Sequence, residues 1–487
     1  MLENYQTDFV KKLQNTMATA NLLVVGDVML DSYIYGSADR ISQEAPIPVF
    51  LAQLAANEYR PGGAANVASN IMALGAKVFL LGVIGDDEAG KNLENILMAK
   101  GGDNYSGMLV KTTARPTTEK IRYIANKQQM LRLDREDIKP IDKTIGDKIL
   151  LAVEKNLSQV GAVVISDYGK GVLTNDLLKK IIALAKKTSI PIVVDPKGKD
   201  FQKYHSVDYI TPNRQELSEA TRLPTDSSDE VIAASHQLIK DMGLRGVVAT
   251  RAEQGLLLVE SNATFHFKTD ALEVFDVAGA GDTVAGVFAT SLAAGLPAVF
   301  ASRLANAGGG VVVGKQGATD VLIDEIVAMV FSSIEHGKHL MSEADTMARI
   351  ADEKKQGKKI VLTNGCFDVL HDGHIALLQD AKQQGDILVV LINSDDSIKR
   401  LKGQGRPFQP QAMRADALLG LGGVDVVMAF ADDTPADVIK KIKPDVLVKG
   451  MDYKNQDVVG QVDAGRVYFA KWQNGFSTST ILKNLID

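Results

Sequence analysis

The chain has 487 residues, 45% hydrophobic and 23% charged, with a formal net charge of −6 and one cysteine, Cys366. That length exceeds one ordinary core and predicts two or three domains in a soluble globular protein. The charge gives no general pull toward nucleic acid or an anionic membrane, one cysteine excludes an intrachain disulfide, and cytoplasm is the expected compartment.

Met1–Asn21 is mixed polar and lacks the basic-then-apolar order of a signal peptide. No apolar run approaches the roughly 20 residues that span a bilayer. Buried strands are predicted at Leu22–Gly26, Val78–Gly82, Ala162–Ser166, Ile192–Asp195, Tyr209–Thr211 and Gly246–Thr250. Helical patterns intervene at Asn66–Leu74, Gly90–Lys100, Asn175–Lys187, Asn213–Thr221 and Asp229–Met242. Apolar strands alternating with helices imply a parallel sheet covered on both faces, with ligands beyond the carboxyl ends of its strands. More polar strands at Tyr33–Ser37, Pro48–Tyr59 and Lys120–Leu133 read as a small β lid over the sheet's edge.

Asp27 and Asp31 flank the first strand end, where carboxylates suit the vicinal hydroxyls of a sugar. Gly62-Gly63-Ala64-Ala65-Asn66 opens a helix with small residues, a pattern that equally serves packing. Asn213 and Glu216 share a helical face and suit either hydrated Mg²⁺–phosphate or a cap. The strongest signal is Asp276-Val277-Ala278-Gly279-Ala280-Gly281-Asp282, a glycine-rich turn before the helical stretch Asp282–Ala294. The amides of Gly279, Ala280 and Gly281 at a helix start form an anion hole for a transferring phosphoryl group. Asp282 is placed to accept a proton from an alcohol, the alternative being a helix N-cap. Asp276 serves as a positioning or metal-shell carboxylate, or only ends a strand.

From about Ser332 to Lys359 the chain turns polar and helical, and a domain boundary is expected near His339, dividing 1–338 from 339–487. A fresh α/β pattern of about 130 residues follows, a usual domain size. Its strands are expected at Ile360–Thr363, Ile387–Asn393, Val424–Met428 and Val446–Lys449. Its helices are expected at Gly373–Gln384, around Gln411–Leu421 and around Ala436–Ile442. His371-Asp372-Gly373-His374 puts two imidazoles at a helix entry, where cationic or hydrogen-donating rings stabilise an α-phosphate under attack. A zinc site finds no evident third ligand. Arg414 and Lys449 are candidate phosphate clamps or solvated charges. Ser477, Thr478 and Ser479 open the last helix with hydroxyl donors for a second anion site. Cys366 reads as a small packing residue, and Trp472 as core or rim.

Gly62-Gly63 with Asn66, Asn213–Glu216 and Asp276–Asp282 together resemble the ribokinase-type (phosphofructokinase B) sugar kinases over residues 15–325. The resemblance implies a three-layer α/β/α domain whose β lid forms a homodimer contact. It makes Asp282 the base and assigns the sugar to Asp27, Asp31, Gly63 and Asn66. It puts Asn213 and Glu216 on Mg²⁺–phosphate and brings Thr250–Gly255 and Asn306 near ATP. A monovalent cation is a further candidate there, and Ala278 stands where these kinases often carry Thr or Gly. Magnesium would be held mainly through phosphates and water, with no direct protein ligand.

His371–His374, Gly365–Asp368, Asn393–Asp395, Val448–Gly450 and Ser477–Thr480 resemble the cytidylyltransferase-like nucleotidyltransferases over 355–487, a smaller Rossmann-like domain. The joined order, with Ser166–Gly171 and Leu362–Asp368, resembles the bifunctional heptose 7-phosphate kinase/heptose 1-phosphate adenylyltransferases of lipopolysaccharide core synthesis. That family phosphorylates heptose 7-phosphate at its anomeric hydroxyl. A separate phosphatase removes the 7-phosphate, and the second domain makes ADP-heptose from ATP. The first substrate needs extra cations, for which Lys120, Arg122, Arg132, Lys170 and Lys197 are candidates. A fusion acting on another sugar or polyol, with CTP, and a nonenzymatic metabolite-binding regulator are the competing readings.

Overall fold

The computed structural model describes residues 2–53, 57–269, 274–336, 340–403, 406–454 and 456–470. It opens with α1 (Leu2–Ala18), β1 (Asn21–Gly26), β2 (Val28–Ile41), β3 (Pro48–Ala52), β4 (Glu58–Gly63), α2 (Ala64–Ala73), β5 (Lys77–Gly85) and α3 (Glu88–Gly101). Next come β6 (Tyr105–Thr112), β7 (Thr118–Ala125), β8 (Gln128–Arg135), α4 (Lys143–Asn156), β9 (Ala162–Ser166), α5 (Asn175–Lys187), β10 (Ile192–Asp195) and β11 (Tyr209–Ile210). Then follow α6 (Arg214–Thr221), α7 (Ser228–Met242), β12 (Gly246–Thr250), β13 (Leu256–Glu260), β14 (Thr264–Phe267), α8 (Ala280–Ala293), α9 (Ala298–Val313) and α10 (Ile323–His336).

Nine of these strands form one sheet in the order β14-β13-β12-β11-β10-β9-β1-β5-β6. It is parallel from β12 to β6, while β13 and β14 add an antiparallel hairpin. Leu22 and Val24 of β1 face a core shared with α1, α2, α3, α8, α9 and α10. Leu23 and Val25 face the opposite core under α4, α5, α6 and α7. Alternate strand residues therefore serve two apolar layers, the three-layer α/β/α arrangement expected. β1 has β5 on one side and β9 on the other, so strand order reverses there and opens a crevice at their carboxyl ends.

The lid is a sheet in the order β3-β2-β7-β8, with β4 also paired to β2. β2 runs unbroken through Val28–Ile41, so Asp31 lies inside a lid strand rather than beside a strand end. No glycine or proline interrupts residues 28–35, and β4 and β7 clamp both of its edges.

The remaining elements are α11 (Glu343–Lys355), β15 (Ile360–Gly365), α12 (Asp372–Lys382), β16 (Ile387–Asn393), α13 (Asp395–Lys402), α14 (Gln411–Gly420), β17 (Val426–Phe430), α15 (Ala436–Ile442), β18 (Val446–Gly450) and β19 (Arg466–Ala470). Their strands form a parallel sheet, β17-β16-β15-β18-β19, with the order reversing at β15 and β18. The helices α1, α4, α9, α10 and α13 and the strands β6, β13, β14 and β19 are not foreseen from sequence, β19 because its Tyr and Phe stay half-buried. The boundary expected near His339 falls among residues 337–339, outside the described residues. No helix among the described residues is long and apolar enough to cross a membrane.

Candidate active sites

The first site lies at the ends of β1 and β9, under the lid. Gly63 caps α2 with φ +57°, and a Cβ there would sit 2.5 Å from the Asp27 carbonyl. Only glycine lets β4 turn into α2 this close to β1. Gly279 caps α8 with φ +78°, and a Cβ would meet the Asn66 amide nitrogen at 2.7 Å. The two glycines thus bring α2 and α8 together with Asn66 and Asp282 between them.

Asp282 is the third residue of α8 and is 3% exposed. Its side chain does not cap the helix. Asn66 Nδ2 donates to Oδ2 at 2.8 Å, and the Tyr168 hydroxyl donates to Oδ1 at 2.8 Å. Burial pushes its carboxyl up to about 7, and the two hydrogen bonds oppose that rise. A carboxyl there is half ionised near neutrality, a useful condition for accepting a proton.

The Ala280 N–H donates to Val277 O at 3.3 Å, so it is spent within the turn. An anion hole from Gly279–Gly281 therefore needs Gly281 and the next amide, Asp282, whose N–H groups belong to the first helical turn. Space stands open beside Gly281, where a Cβ would touch nothing within 4 Å. Asp276 ties two loops, accepting from Ala278 N–H at 2.9 Å and Gly317 N–H at 3.0 Å.

Asp27 takes a different part from the one expected. Its carboxylate accepts N–H groups of Tyr168 at 2.9 Å, Lys170 at 3.0 Å and Val172 at 3.2 Å. Both oxygens are engaged by backbone, so Asp27 fastens the 168–172 loop rather than a sugar. Asp31 lies on β2 of the lid, buried and paired with Arg122. Arg122 and Arg60 lie over the Tyr33 ring, 5.2 and 5.0 Å from its centre. Among the other cations, Lys120 and Arg132 pair with Asp134, Lys170 with Glu136, and Lys197 with Glu216.

Asn213 and Glu216 form a capping box: Glu216 N–H donates to Asn213 Oδ1 at 2.9 Å, and Asn213 N–H to Glu216 Oε2 at 3.1 Å. Asn213, Thr250, Gly255 and Asn306 line one cavity of about 460 Å³ with Leu256, Val274, Val277 and Val313. Gly281 borders the same cavity. An apolar slot leading to a helix N-terminus fits a purine with phosphates at its inner end. Among the described residues, no three His, Cys, Asp or Glu side chains gather to hold a metal.

The second site sits where β15 and β18 part. A cavity of about 550 Å³ is lined by Asn364, Phe367, His374, Lys402, Arg406, Lys449 and Tyr453, among others. The His371 and His374 rings stack 3.9 Å apart, and Phe367 packs on His374 at 5.1 Å. Burial, then the charge of His371, pushes His374 down to about 3. His374 is therefore a neutral imidazole, and of the two expected forms only the hydrogen-donating one fits it. Lys449 Nζ reaches Asn364 Oδ1 at 2.5 Å, and burial lowers it to about 8.

Arg414 is not a phosphate clamp. It is 0% exposed and donates to Gln409 O, Cys366 O, Asn393 O and Asp395 at 3.1, 2.7, 2.8 and 2.7 Å. Five rigid donors suit arginine to satisfying several strand-end carbonyls at once. Arg406 lies on the cavity wall instead, half-buried and paired with Asp368 at 3.0 Å. Ser477, Thr478 and Ser479 lie outside the described residues, as does Trp472.

Two family models match in this order: the pfkB family carbohydrate kinases over residues 19–325 and the cytidylyltransferase-like family over 362–484. Arabidopsis thaliana ribokinase, solved with ribose and ATP, superposes with TM-score 0.51 at 19% identity, covering 64% of this chain and 98% of its own. Escherichia coli phosphofructokinase-2 does so with TM-score 0.53 at 20% identity, covering 64% and 99%. These likenesses establish the kinase fold. The bifunctional protein HldE of Proteus mirabilis is 43% identical over 468 residues, 95% of this chain and 97% of its own. That of Pasteurella multocida is 44% identical over 471 residues, 96% and 97%. The chain belongs to the HldE family. Its kinase and nucleotidyltransferase regions follow the HldE order along nearly the full length, with carbohydrate kinase chemistry first.

The sequence alone gives no role to Tyr168, Arg60, Lys402 or Arg406, all of which border the two sites. Tyr168 lies in the Ser166–Gly171 string, and a bulky phenol directly after a strand end is the signal that could mark it. Arg60 carries no local signal, since its place beside Tyr33 depends on the pairing of β4 with β2.

Proposed function

We propose that this chain makes two steps of ADP-heptose synthesis, phosphorylating heptose 7-phosphate at its anomeric hydroxyl and adenylylating heptose 1-phosphate. The observation that carries the kinase step is Asp282, buried and held by Asn66 and Tyr168 beside the open helix start at Gly281. The anomeric O–H gives its proton to Asp282, its oxygen attacks the γ-phosphorus of ATP, and ADP leaves. The first-turn amides of α8 stabilise charge on the transferring group. ATP would lie in the slot lined by Thr250, Gly255 and Asn306. The oxygen-rich pair Asn213 and Glu216 suits Mg²⁺ held through water, since Glu216 already engages Lys197 and the Asn213 backbone. When bound, Mg²⁺ neutralises phosphate charge.

Of the candidate cations for the 7-phosphate, Arg122 is favoured, together with Arg60. Both guanidinium groups border Tyr33 beside Asp31, Arg122 paired with Asp31 itself and Arg60 with Glu58, whereas Lys120 and Arg132 pair with Asp134, Lys170 with Glu136 and Lys197 with Glu216.

In the second step a phosphate oxygen of heptose 1-phosphate attacks the α-phosphorus of ATP, and pyrophosphate leaves. The nucleophile needs no base, in keeping with a neutral His374 that donates rather than accepts. His371, Lys449 and Arg406 supply the remaining donors. The bisphosphate from the first step must lose its 7-phosphate before the second, so a separate phosphatase acts between. We divide the chain near residue 339, and infer a homodimer through the lid, where Leu51, Met130, Leu131 and Leu133 are exposed.

Incubation with ATP, Mg²⁺ and heptose 7-phosphate, followed by mass spectrometry, should yield heptose bisphosphate, and ADP-heptose only once phosphatase is added. Asp282→Asn should stop the first product and spare adenylylation of supplied heptose 1-phosphate; His374→Ala should do the reverse. Absence of bisphosphate from the intact protein overturns the heptose assignment. Turnover with CTP in place of ATP would overturn the base assignment.

A further inference from the structure

Tyr168 is a half-buried ionisable side chain of the kinase site that the proposed chemistry leaves unused. Tyr168 follows β9 and sends its hydroxyl to Asp282 Oδ1 at 2.8 Å. Asn66 serves the other oxygen from α2. Each oxygen of the base thus has its own donor, from opposite sides of the crevice.

The loop that carries Tyr168 is itself fastened. Its N–H, with those of Lys170 and Val172, is bound by the buried Asp27 carboxylate. Gly169 N–H donates to Asp167 Oδ1 at 2.7 Å, and Asp167 is held in turn by Lys203 and Tyr204, each at 2.6 Å. Such a connected set fixes a side chain more firmly than any single bond.

We propose that Tyr168 is a positioning residue of the kinase step, orienting Asp282 toward the sugar hydroxyl and setting the pH at which it works. This rests on Asp282 being the base. With Asn66 alone, the carboxylate could turn about its terminal torsion, which is broad for aspartate. The phenol removes that freedom without competing for the proton. Burial holds Tyr168 well above its usual range, and the carboxylates of Asp282, Asp195 and Asp31 raise it further. It remains a donor throughout the working pH range.

The groups facing Asp282 are Asn66 from α2, Asp31 from β2, Asp195 at the end of β10 and Tyr168. Of these, only Asn66 and Tyr168 favour the ionised base. Removing the phenolic hydroxyl should therefore raise Asp282 further and leave it less ionised at neutral pH.

The test uses the full chain. Tyr168→Phe should lower kcat for heptose 7-phosphate roughly 10- to 100-fold, the weight of one hydrogen bond to a charged group. KM for the sugar should stay within about twofold, and the acidic limb of the kcat profile should move to higher pH. Adenylylation of supplied heptose 1-phosphate should be unchanged. 3-Fluorotyrosine at position 168, a stronger donor of nearly the same shape, should move the limb to lower pH. An unchanged kcat and limb in Tyr168→Phe overturns the proposal, as does a raised KM with unchanged kcat, which would make Tyr168 a sugar contact. If Tyr168→Phe does not fold, the fluorinated protein decides, and an unmoved limb overturns the proposal. Full kinase activity in Asp282→Asn would instead sink the base assignment on which it rests.

Discussion

Arg303 on α9 and Asp416 on α14 form an ion pair, Nε to Oδ2 at 2.7 Å, with side chains only 6% and 13% exposed. It joins the kinase and nucleotidyltransferase regions. One helical turn beyond Arg303, Asn306 lines the first cavity; two residues before Asp416, Arg414 braces the second site. Phe300 packs edge-on against Phe408 at 6.3 Å beside the pair, and Gly422 N–H donates to Thr264 O at 3.2 Å. The apolar core under α9 and α10 continues without a break into Phe408, Met413 and Leu421. The junction is built like an interior.

Removing one partner of a buried ion pair leaves a charge in an apolar setting, at a cost of about 3–5 kcal/mol. Asp416→Ala should therefore lower the melting temperature and split one calorimetric transition into two. Replacing both partners, Arg303→Met with Asp416→Leu, should recover most of that loss. A single unshifted transition in Asp416→Ala would show that the regions melt independently of this contact.

Asp282 ties stability to pH as well as activity. Its carboxyl stands at about 7 in the folded chain against 3.8 ordinarily. Between those values the folded protein keeps a proton that the unfolded chain has lost. The stabilisation is full below pH 3.8 and disappears as pH rises through about 7, on the order of 4 kcal/mol in total. Asp282→Asn should accordingly gain melting temperature over wild type at pH 8 and much less at pH 5. An equal gain at both values would contradict a raised carboxyl. Kinase turnover should climb through pH 7 in step.

The two loops that mark the sites are legible in the sequence because their chemistry is local. Gly279 must turn, α8 must start there, and Asp282 must then lie in its first turn. His371 and His374 share a helix entry for the same reason. What stays hidden is who faces whom across the sheet. Asp27 looks like a sugar ligand until β1 is seen beside β9, whose following loop engages both its oxygens. Asn66 is expected on the sugar, and its hydrogen bond to Asp282 is not visible in the sequence, since it depends on α2 packing on α8. Arg414 reads as a phosphate clamp or a solvated charge because nothing in its local sequence reveals the carbonyls of Cys366 and Asn393, at the ends of β15 and β16, converging on it.

The lid's outer strands predict self-association. Leu131 and Leu133 alternate on β8, the edge of the lid, and both are exposed. Exposed apolar side chains on an edge strand are covered in stable proteins. Leu131→Glu with Leu133→Glu should convert a dimer to a monomer in analytical ultracentrifugation while adenylylation persists. A wild-type chain that sediments as a monomer would end the lid-dimer reading.

His374 should behave as a neutral donor. With its imidazole pushed down to about 3, it stays uncharged at any pH where the enzyme would work. Heteronuclear NMR of its ring nitrogens should show no protonation down to pH 5. His374→Ala should cost the adenylyl step roughly 100- to 1,000-fold in kcat, the usual effect of losing one transition-state donor. The kinase rate should not change. A ring that protonates between pH 5 and 7 would restore the cationic role.

Arg414 and Lys449 separate a brace from a clamp within one site. Arg414→Lys keeps the positive charge but loses the fork, leaving the carbonyls of Cys366, Gln409 or Asn393 without donors. Each orphaned buried group costs roughly 1–3 kcal/mol, so the nucleotidyltransferase region should lose several kcal/mol of stability. KM for ATP, measured at a temperature where the variant remains folded, should move less than about threefold if no phosphate contact is lost. Lys449 lines the cavity and, among the described residues, makes one side-chain hydrogen bond, to Asn364. Lys449→Ala should raise that KM by an order of magnitude or more and shift melting little. The opposite pattern, a stable Arg414→Lys with a weak hold on ATP, would return Arg414 to the phosphates and require its four buried bonds to break on binding.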